Sequence, residues 1–399
     1  MTNRGATSSA YRRLAVVAAC FLALGCDLFG PREPQRWIAV DVGAAFTCAL
    51  TPSGHAACWG AAADILECCP PSPPDEVMPN SAVPLLVPKG GPFISLTLEN
   101  DNVCGIEPSG LARCWGANTT GSLGNGTVTA KRIPDSIVGG HRWRSVSGGG
   151  THMCGITHSD DAYCWGNAWY GALGTGGGGG VPLVFVTAPT PVVGGHKFKQ
   201  VVAGLASTCA ITLSGQGYCW GAGNAGQLGT GTVTDAPVPT PSAVTGGLTF
   251  TSIASNTHHV CAVALDAKAY CWGSNWHGSL GTGDEVNRPA PTAVAGDLTW
   301  SQISTGAAHT CGIATAGATY CWGRNNRGQL GNGTFDSAFV PTPVAAPHTF
   351  IHVAAGGSRT CAIDASGLLY CWGFNERGQL GNGGTEHSAV PVLVSRPVF

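Results

Sequence analysis

Charged side chains are scarce in this sequence: only 11% of its 399 residues are Asp, Glu, Lys or Arg, well under the roughly 25% of ordinary globular chains. The formal net charge is −2. Lys and Arg form no long run, and no basic strip alternates with aromatics. Such a surface does not neutralise a phosphate backbone, so nucleic acid is excluded as an expected partner. No apolar run reaches the roughly 20 residues that a membrane-spanning helix needs. His-Glu-x-x-His, Gly-x-Ser-x-Gly, a phosphate-binding loop and a calcium loop are all missing. So is the Ser-x-Asp-x-Gly-x-x-Trp box of sialidases. No cofactor and no metal is therefore expected, and no catalytic residue is named by a motif. Scattered acids such as Asp160/Asp161 and Asp284/Glu285 read as turn caps rather than catalytic pairs.

Glycine (60 residues), cysteine (18) and tryptophan (12) are plentiful instead. Low charge with high glycine suits a disordered chain. Tryptophan and regularly spaced apolar residues argue instead for many short strands joined by tight turns.

The N-terminus carries Arg4, Arg12 and Arg13 before an apolar run from Leu14 to Leu24, too short for a spanning helix and suited to a signal peptide. The run ends in Ala23-Leu24-Gly25-Cys26, which resembles a bacterial lipobox, with Ala23 where the usual box has Leu. Residues 1–25 are thus expected to be a signal peptide and Cys26 a lipidated residue that anchors the chain to a membrane. Residues 26–36, with Pro31 and Pro34, form the tether, and residues 37–399 the domain. An ordinary signal-peptidase cut is the alternative. Either route exports the chain, to the bacterial cell envelope if lipidated and otherwise to the periplasm or outside.

Fourteen cysteines fall in seven pairs with nine residues between partners: Cys48/Cys58, Cys104/Cys114, Cys154/Cys164, Cys209/Cys219, Cys261/Cys271, Cys311/Cys321 and Cys361/Cys371. A fixed period of 50 to 56 residues between first members marks a repeat architecture. Other positions keep phase. An aromatic stands eleven residues before each first Cys (Trp37, Phe93, Trp143, Phe198, Phe250, Trp300, Phe350). Trp-Gly follows each second Cys, and a Gly-x-Leu-Gly turn follows in repeats two to seven. Pro-x-Pro elements such as Pro189/Pro191 and Pro341/Pro343 lead to the next unit.

Between paired cysteines the chain reads as strand, tight turn, strand. Gly54, Gly110, Gly215, Gly317 and Gly367 lie six residues after the first Cys, where a three-residue loop ends in a left-handed residue. Asp160 tolerates that conformation, whereas Ala267 does so poorly, so turn five is expected to differ. This register sets the two cysteines opposite each other, where α-carbons are about 4.5–5.5 Å apart, within reach of a disulfide. Zinc ligands are spaced more closely. Seven cross-strand disulfides are expected, in an oxidising compartment.

Blades apolar on both faces bury them by radial closure. The expected fold is therefore all-β: a seven-bladed β-propeller of four-stranded antiparallel blades with one hairpin disulfide each. Its ring is closed by the C-terminal strand Ala389–Val394, which is expected to complete blade one.

The Trp-Gly…Gly-x-Leu-Gly block, as in CWGRNNRGQLGNGT from Cys321 to Thr334, resembles the regulator of chromosome condensation repeat, whose members form seven-bladed propellers. The resemblance runs from about Trp37 to Val394. It implies His near the start of the hairpin strand, matched by His152, His259 and His309 and replaced by Phe46, Asn102, Ser207 and Arg359. These histidines are read as structural groups rather than metal ligands. The founding member is an exchange factor for a small nuclear GTPase and contacts chromatin. The export signal, the paired cysteines and the lack of a basic tail leave exchange activity only a minor expectation by family analogy.

Function in repeat proteins concentrates where loops break the pattern. Repeat one carries Ala61 to Pro88, with Cys68-Cys69 among Pro70, Pro71, Pro73 and Pro74. A vicinal disulfide between Cys68 and Cys69 is favoured over pairing with another chain or staying reduced. Repeat three carries the glycine run Gly176–Gly180. Trp169, Tyr170, Trp276 and His277 replace small or polar residues after Trp-Gly, where they would serve a partner-binding surface. The expected function is a non-enzymatic scaffold holding an unknown protein or glycan on one propeller face. The alternative is an exported polysaccharide hydrolase or lyase with its site at the central channel.

Overall fold

The computed structural model describes residues 35–61, 80–177 and 184–398. The lipobox-like segment with Cys26, the pair Cys68/Cys69 and most of the glycine run of repeat three lie outside the described residues. The rest forms seven four-stranded antiparallel sheets, each in simple sequence order from the channel outwards. Blade four shows the pattern with strands Phe198–Ala203, Ser207–Thr212, Gly217–Gly223 and Thr234–Ala243.

Each repeat makes one blade because its middle strands are apolar on both sides. Ser207–Thr212 is buried at five of its six positions, and His152–Thr157 at all six. The faces pack on neighbouring blades, giving seven separate cores. In each, the aromatic and the Trp of one blade cover the disulfide of the blade before. Trp143 and Trp165 pack against Cys104, Cys114 and Leu123, and Trp37 and Trp59 against Cys361, Cys371 and Leu380. That last core joins blade seven to blade one and closes the ring. Within every blade the two anchor aromatics meet, with ring centroids 5.4–6.2 Å apart.

All seven disulfides are present, one per blade in chain order: Cys48–Cys58, Cys104–Cys114, Cys154–Cys164, Cys209–Cys219, Cys261–Cys271, Cys311–Cys321 and Cys361–Cys371. Each joins directly opposed residues of the second and third strands. Their spacing corrects the expectation from strand pairing alone. The α-carbons of Cys48 and Cys58, of Cys154 and Cys164, of Cys209 and Cys219, and of Cys261 and Cys271 lie 4.1 Å apart, and those of the other three pairs 4.0–4.1 Å. An unbridged pair stands about 4.5–5.5 Å apart, so the covalent link draws each hairpin inward.

The hairpin tips are three-residue loops: in blade four, Thr212 N donates to Gln216 O (2.9 Å) and Gly215 N to Thr212 O (2.9 Å). Turn five does not differ. Ala267 takes φ 63° and its N donates to Ala264 O (2.9 Å), as the glycines do. Two flanking strands already fixed by the Cys261–Cys271 disulfide override the local steric cost of a left-handed alanine.

Ring closure needs a further correction. Ser388–Leu393 pairs with the third strand of blade seven, not with blade one. Blade one has its own outer strand, Ser81–Leu86, inside the segment Ala61 to Pro88 that the sequence reads as an insertion. The residue that reaches blade one is Val398. Its N donates to Pro84 O (2.9 Å) and its O accepts from Leu86 N (3.4 Å), a parallel bridge at Leu85.

Candidate interaction surface

The antiparallel order gives the ring two ends. The tip end carries the disulfide hairpins and the starts of the innermost strands. The loop end carries the segments that follow Trp-Gly. Four of the loops are rooted by a polar seam between blades. In blade three, His152 Nε2–H donates to Thr208 Oγ1 of blade four (2.8 Å). Thr208 passes its own proton to Ala172 O (2.7 Å), and Trp220 Nε1 donates to the same carbonyl (2.9 Å). The chain recurs as His259–Thr310–Ser279 O–Trp322 and as His309–Thr360–Gln329 O–Trp372. At the closing seam Arg359 Nε donates to Thr47 Oγ1 (3.0 Å), and Thr47 and Trp59 meet at Gln379 O.

The pairs covary inside this one chain. Where the first position is His or Arg, the next blade has Thr before its first Cys. Where it is Phe46, Asn102 or Ser207, the corresponding residues are Val103, Met153 and Val260. At this position a buried His or Arg occurs only where a Thr faces it, which fits the cost of about 1–3 kcal/mol for an unsatisfied polar group. The histidines are fully buried, and burial lowers their pKa to about 4 (His152, His259) and about 3 (His309).

Arg359 is wholly buried, and burial lowers its pKa to about 9. Its guanidinium donates to Ala44 O (3.1 Å), Gly43 O (3.2 Å) and Phe46 O of blade one. Arg359→Met is expected to cost about 1–3 kcal/mol, because it removes the donor to Thr47 Oγ1 and to the carbonyls of Gly43 and Ala44, while Phe46 O keeps Gly43 N as a donor. Arg359→His should recover most of that by recreating the His–Thr pair. Urea unfolding of both variants checks this; a methionine variant within about 1 kcal/mol of wild type would show that the seam does not depend on Arg359.

Buried asparagines shape the exposed part of the loops. Oδ1 of Asn118, Asn275, Asn325 and Asn375 accepts the N–H of Leu123, Leu280, Leu330 and Leu380 (2.8–3.0 Å). Nδ2 of Asn325 holds Thr334 O (2.9 Å) and Asp336 O (3.0 Å), Asn118 and Asn375 each hold two carbonyls of their own loops in the same way, and Asn275 donates to Asp284 O (2.8 Å) and Asp284 Oδ1 (2.9 Å). The two residues before the first Gly of each Gly-x-Leu-Gly turn stand at the loop end. They are Thr119/Thr120, Trp169/Tyr170, Asn224/Ala225, Trp276/His277, Asn326/Arg327 and Glu376/Arg377 in blades two to seven.

The four aromatic positions expected from the sequence therefore occupy one equivalent site on blades three and five. Trp169 is 48% exposed and Trp276 65%. Tyr170 (φ 54°) and His277 (φ 57°) are left-handed, which folds each ring back on its neighbour. Trp169 and Tyr170 stack at 5.1 Å, Trp276 and His277 at 5.4 Å. His277 Nδ1 lies 4.0 Å from Glu285. The blade-five slab continues onto blade six, where Phe339, 41% exposed, lies against Gly278 so closely that a Cβ there would sit 2.4 Å from its ring. Blade four, between the slabs, presents only Asn224 and Ala225.

The channel is lined by the innermost strands, whose inward N–H groups are satisfied by the preceding blade. Asp41 Oδ2 accepts from Leu98 N (2.8 Å), Thr97 Oγ1 from Gly148 N (2.9 Å) and Ser147 Oγ from Ala203 N (3.1 Å). A cavity of about 290 Å³ holds Asp41, Gln302 and His352, and one of about 110 Å³ is walled largely by glycine backbone. Burial raises the Asp41 pKa and lowers that of His352. Asp41 is the one carboxylate among the described residues lining these two cavities, so the pair that glycoside hydrolysis uses is not brought together there.

The Regulator of chromosome condensation (RCC1) repeat matches residues 110–156, 214–263, 266–313, 316–363 and 366–398, and a second form of the repeat matches 300–329 and 350–379. The chain belongs to this repeat family. It is 32% identical over 216 residues to the ultraviolet-B receptor UVR8 of Arabidopsis thaliana, covering 54% of this chain and 47% of the receptor. Human E3 ubiquitin-protein ligase HERC2 is 28% identical over 46% of this chain and 4% of its own length. The chain thus spans half or less of these relatives. Human WBSCR16 shares the fold with a TM-score of 0.74 at 20% identity, covering 88% of this chain and 94% of that one. Prp20p of Saccharomyces cerevisiae does so at 0.70 and 21%, covering 83% and 82%.

Proposed function

We propose that this protein is a non-enzymatic binding scaffold, exported to the bacterial envelope, which holds a protein partner on its loop end. The observation that carries the reading is the pair of exposed, self-stacked aromatic slabs, Trp169/Tyr170 and Trp276/His277, on loops whose equivalents elsewhere are polar or small. Rigid aromatics at the centre of a contact supply most of its energy, and the stacked, left-handed geometry removes much of their rotamer freedom before binding. Seven disulfides fit an oxidising compartment, as does the signal-like segment at residues 1–25. Prp20p, similar in fold, is described by its binding to Gsp1p and histones, which are proteins.

Crosslinking–mass spectrometry on native envelopes tests this. Crosslinks to one protein should map to the loops around Trp169 and Trp276. Trp169→Ala/Trp276→Ala should weaken that contact at least tenfold, at about 2 kcal/mol for each hot-spot ring, with unchanged thermal stability. Crosslinks confined to the tip end, or an undiminished contact in the double variant, defeat the proposal. Capture of a glycan by the same rings moves the partner to that class.

A further inference from the structure

The tip end has a different surface, and the chain enters the ring there. Trp37 N donates to Gly367 O at the hairpin tip of blade seven (2.8 Å), so Arg36 stands at the tip end, at the seam between blades seven and one. Ile351, Ile38 and Ile94 open the innermost strands of blades seven, one and two, and are 63%, 54% and 59% exposed. Leu213 and Leu265 cap the hairpin tips of blades four and five at 55% and 74%. Side chains of this kind at the tips of a stapled hairpin have no core to join.

The charges on the same end lean to the cationic side, with Asp297 an exposed carboxylate among them. Glu107, Asp160 and Asp161 are ion-paired with Arg113, Arg144 and Lys197. Asp266, beside Leu265, is followed two residues on by Lys268. Arg142 and Lys199 donate instead to the carbonyls of Ser109 (2.5 Å) and Phe250 (2.8 Å), so no carboxylate cancels their charge in these contacts. Arg36 is exposed where the chain enters. The loop end exposes Glu285 beside His277, and Glu376, which is ion-paired with Arg327.

We infer that the tip end is a membrane-facing surface that rests on anionic lipid headgroups, with its isoleucines and leucines at the interface and Arg36, Arg142 and Lys199 over the phosphates. Exposed aliphatic side chains combined with Lys and Arg are the pattern of a peripheral membrane surface. The length and position of the preceding segment argue for lipid as the occupant. Ten residues lead from Cys26 to Arg36, a reach of at most about 35 Å, and Arg36 stands at the tip end. The inference rests on the anchored reading of residues 1–26. It extends that reading by fixing orientation: the aromatic slabs of the loop end point away from the membrane.

The test is amide hydrogen exchange on the full chain reconstituted with two kinds of vesicle, pure phosphatidylcholine and phosphatidylcholine with about 30% phosphatidylglycerol, an anionic fraction that gives a negative surface potential. On the anionic vesicles, exchange at hairpin tips 212–216 and 264–268 should slow at least threefold, with no change at 276–279, and Lys199→Glu with Leu265→Ser should abolish the protection. Binding to both vesicle types without tip protection, or with protection at 276–279, overturns the tip-end assignment and leaves the anchored reading standing. Equal tip protection on both vesicle types overturns the assignment to anionic headgroups. Failure to bind either vesicle overturns both readings.

Discussion

Complete reduction of the seven hairpin disulfides is expected to unfold the ring at room temperature. Each closes a loop of about ten residues, worth about 2.7 kcal/mol by the chain-entropy estimate. Seven together approach about 19 kcal/mol if they add, against a net stability of about 5–15 kcal/mol for an ordinary domain. The bonds also lie in the cores, fully buried beneath the aromatics of the next blade, so their loss disturbs packing as well as chain entropy. Removing one pair, as in Cys311→Ala/Cys321→Ala, should cost about 2–4 kcal/mol, part of it from the space left under Phe350 and Trp372. Circular dichroism and tryptophan fluorescence through a dithiothreitol titration, with thiols counted in parallel, read the effect. A native spectrum that persists after all seven bonds are open would show that blade packing alone suffices.

Those bonds are legible in the sequence because they are local. A spacing of nine residues across a tight turn fixes that Cys58 opposes Cys48 and Cys219 opposes Cys209, whatever lies beyond the hairpin. The same holds for the left-handed turn glycines and the blade count. Relations between blades are not legible. That His152 faces Thr208, 56 residues on, depends on how two sheets pack, and no period within one blade encodes it. A signal exists in the matched presence of His or Arg at one position and Thr at another in the next repeat, but it needs adjacent repeats to be compared in pairs. Ala267 defeats a local propensity weighed without its disulfide-held flanks. The closing strand escapes the repeat pattern because the proline-rich insertion hides blade one's own outer strand. The exposed aromatics stand out as breaks in a pattern, and their stacking requires the backbone.

Stability should fall steeply with acid, and the three buried histidines set the window. Their ordinary pKa is about 6.5, and burial lowers it to about 4 for His152 and His259 and about 3 for His309. Above about pH 6.5 they are neutral whether the chain is folded or not, and contribute no pH dependence. Below it the unfolded chain takes up protons that the folded one refuses, so stability is lost progressively as pH falls to about 4, and to about 3 for His309. At about 1.36 kcal/mol per pKa unit, each histidine costs about 3–5 kcal/mol at the bottom of its window. Together that is on the order of 10 kcal/mol, enough to unfold a protein of ordinary stability. Glu99 acts with the opposite sign. Its buried carboxylate accepts from Asn102 Nδ2 (2.5 Å) and Ser122 Oγ (2.7 Å), yet burial raises its pKa to about 7. It is neutral in both states below about pH 4.5, and stability is lost as pH rises from there through about 7. Three histidines outweigh one carboxylate across this range, so stability rises with pH to a plateau above about pH 7. Urea unfolding of the oxidised protein from about pH 8 to about pH 3.5 should show that plateau and the fall below it. Glu99→Gln should steepen the rise between about pH 4.5 and about pH 7, and His152→Gln, which keeps an N–H for Thr208, should remove about a third of the histidines' share of it. A stability that stays level from about pH 7 to about pH 4.5 would mean that the seams admit protonated histidine, and that the His–Thr pairs are not the dry contacts their burial implies.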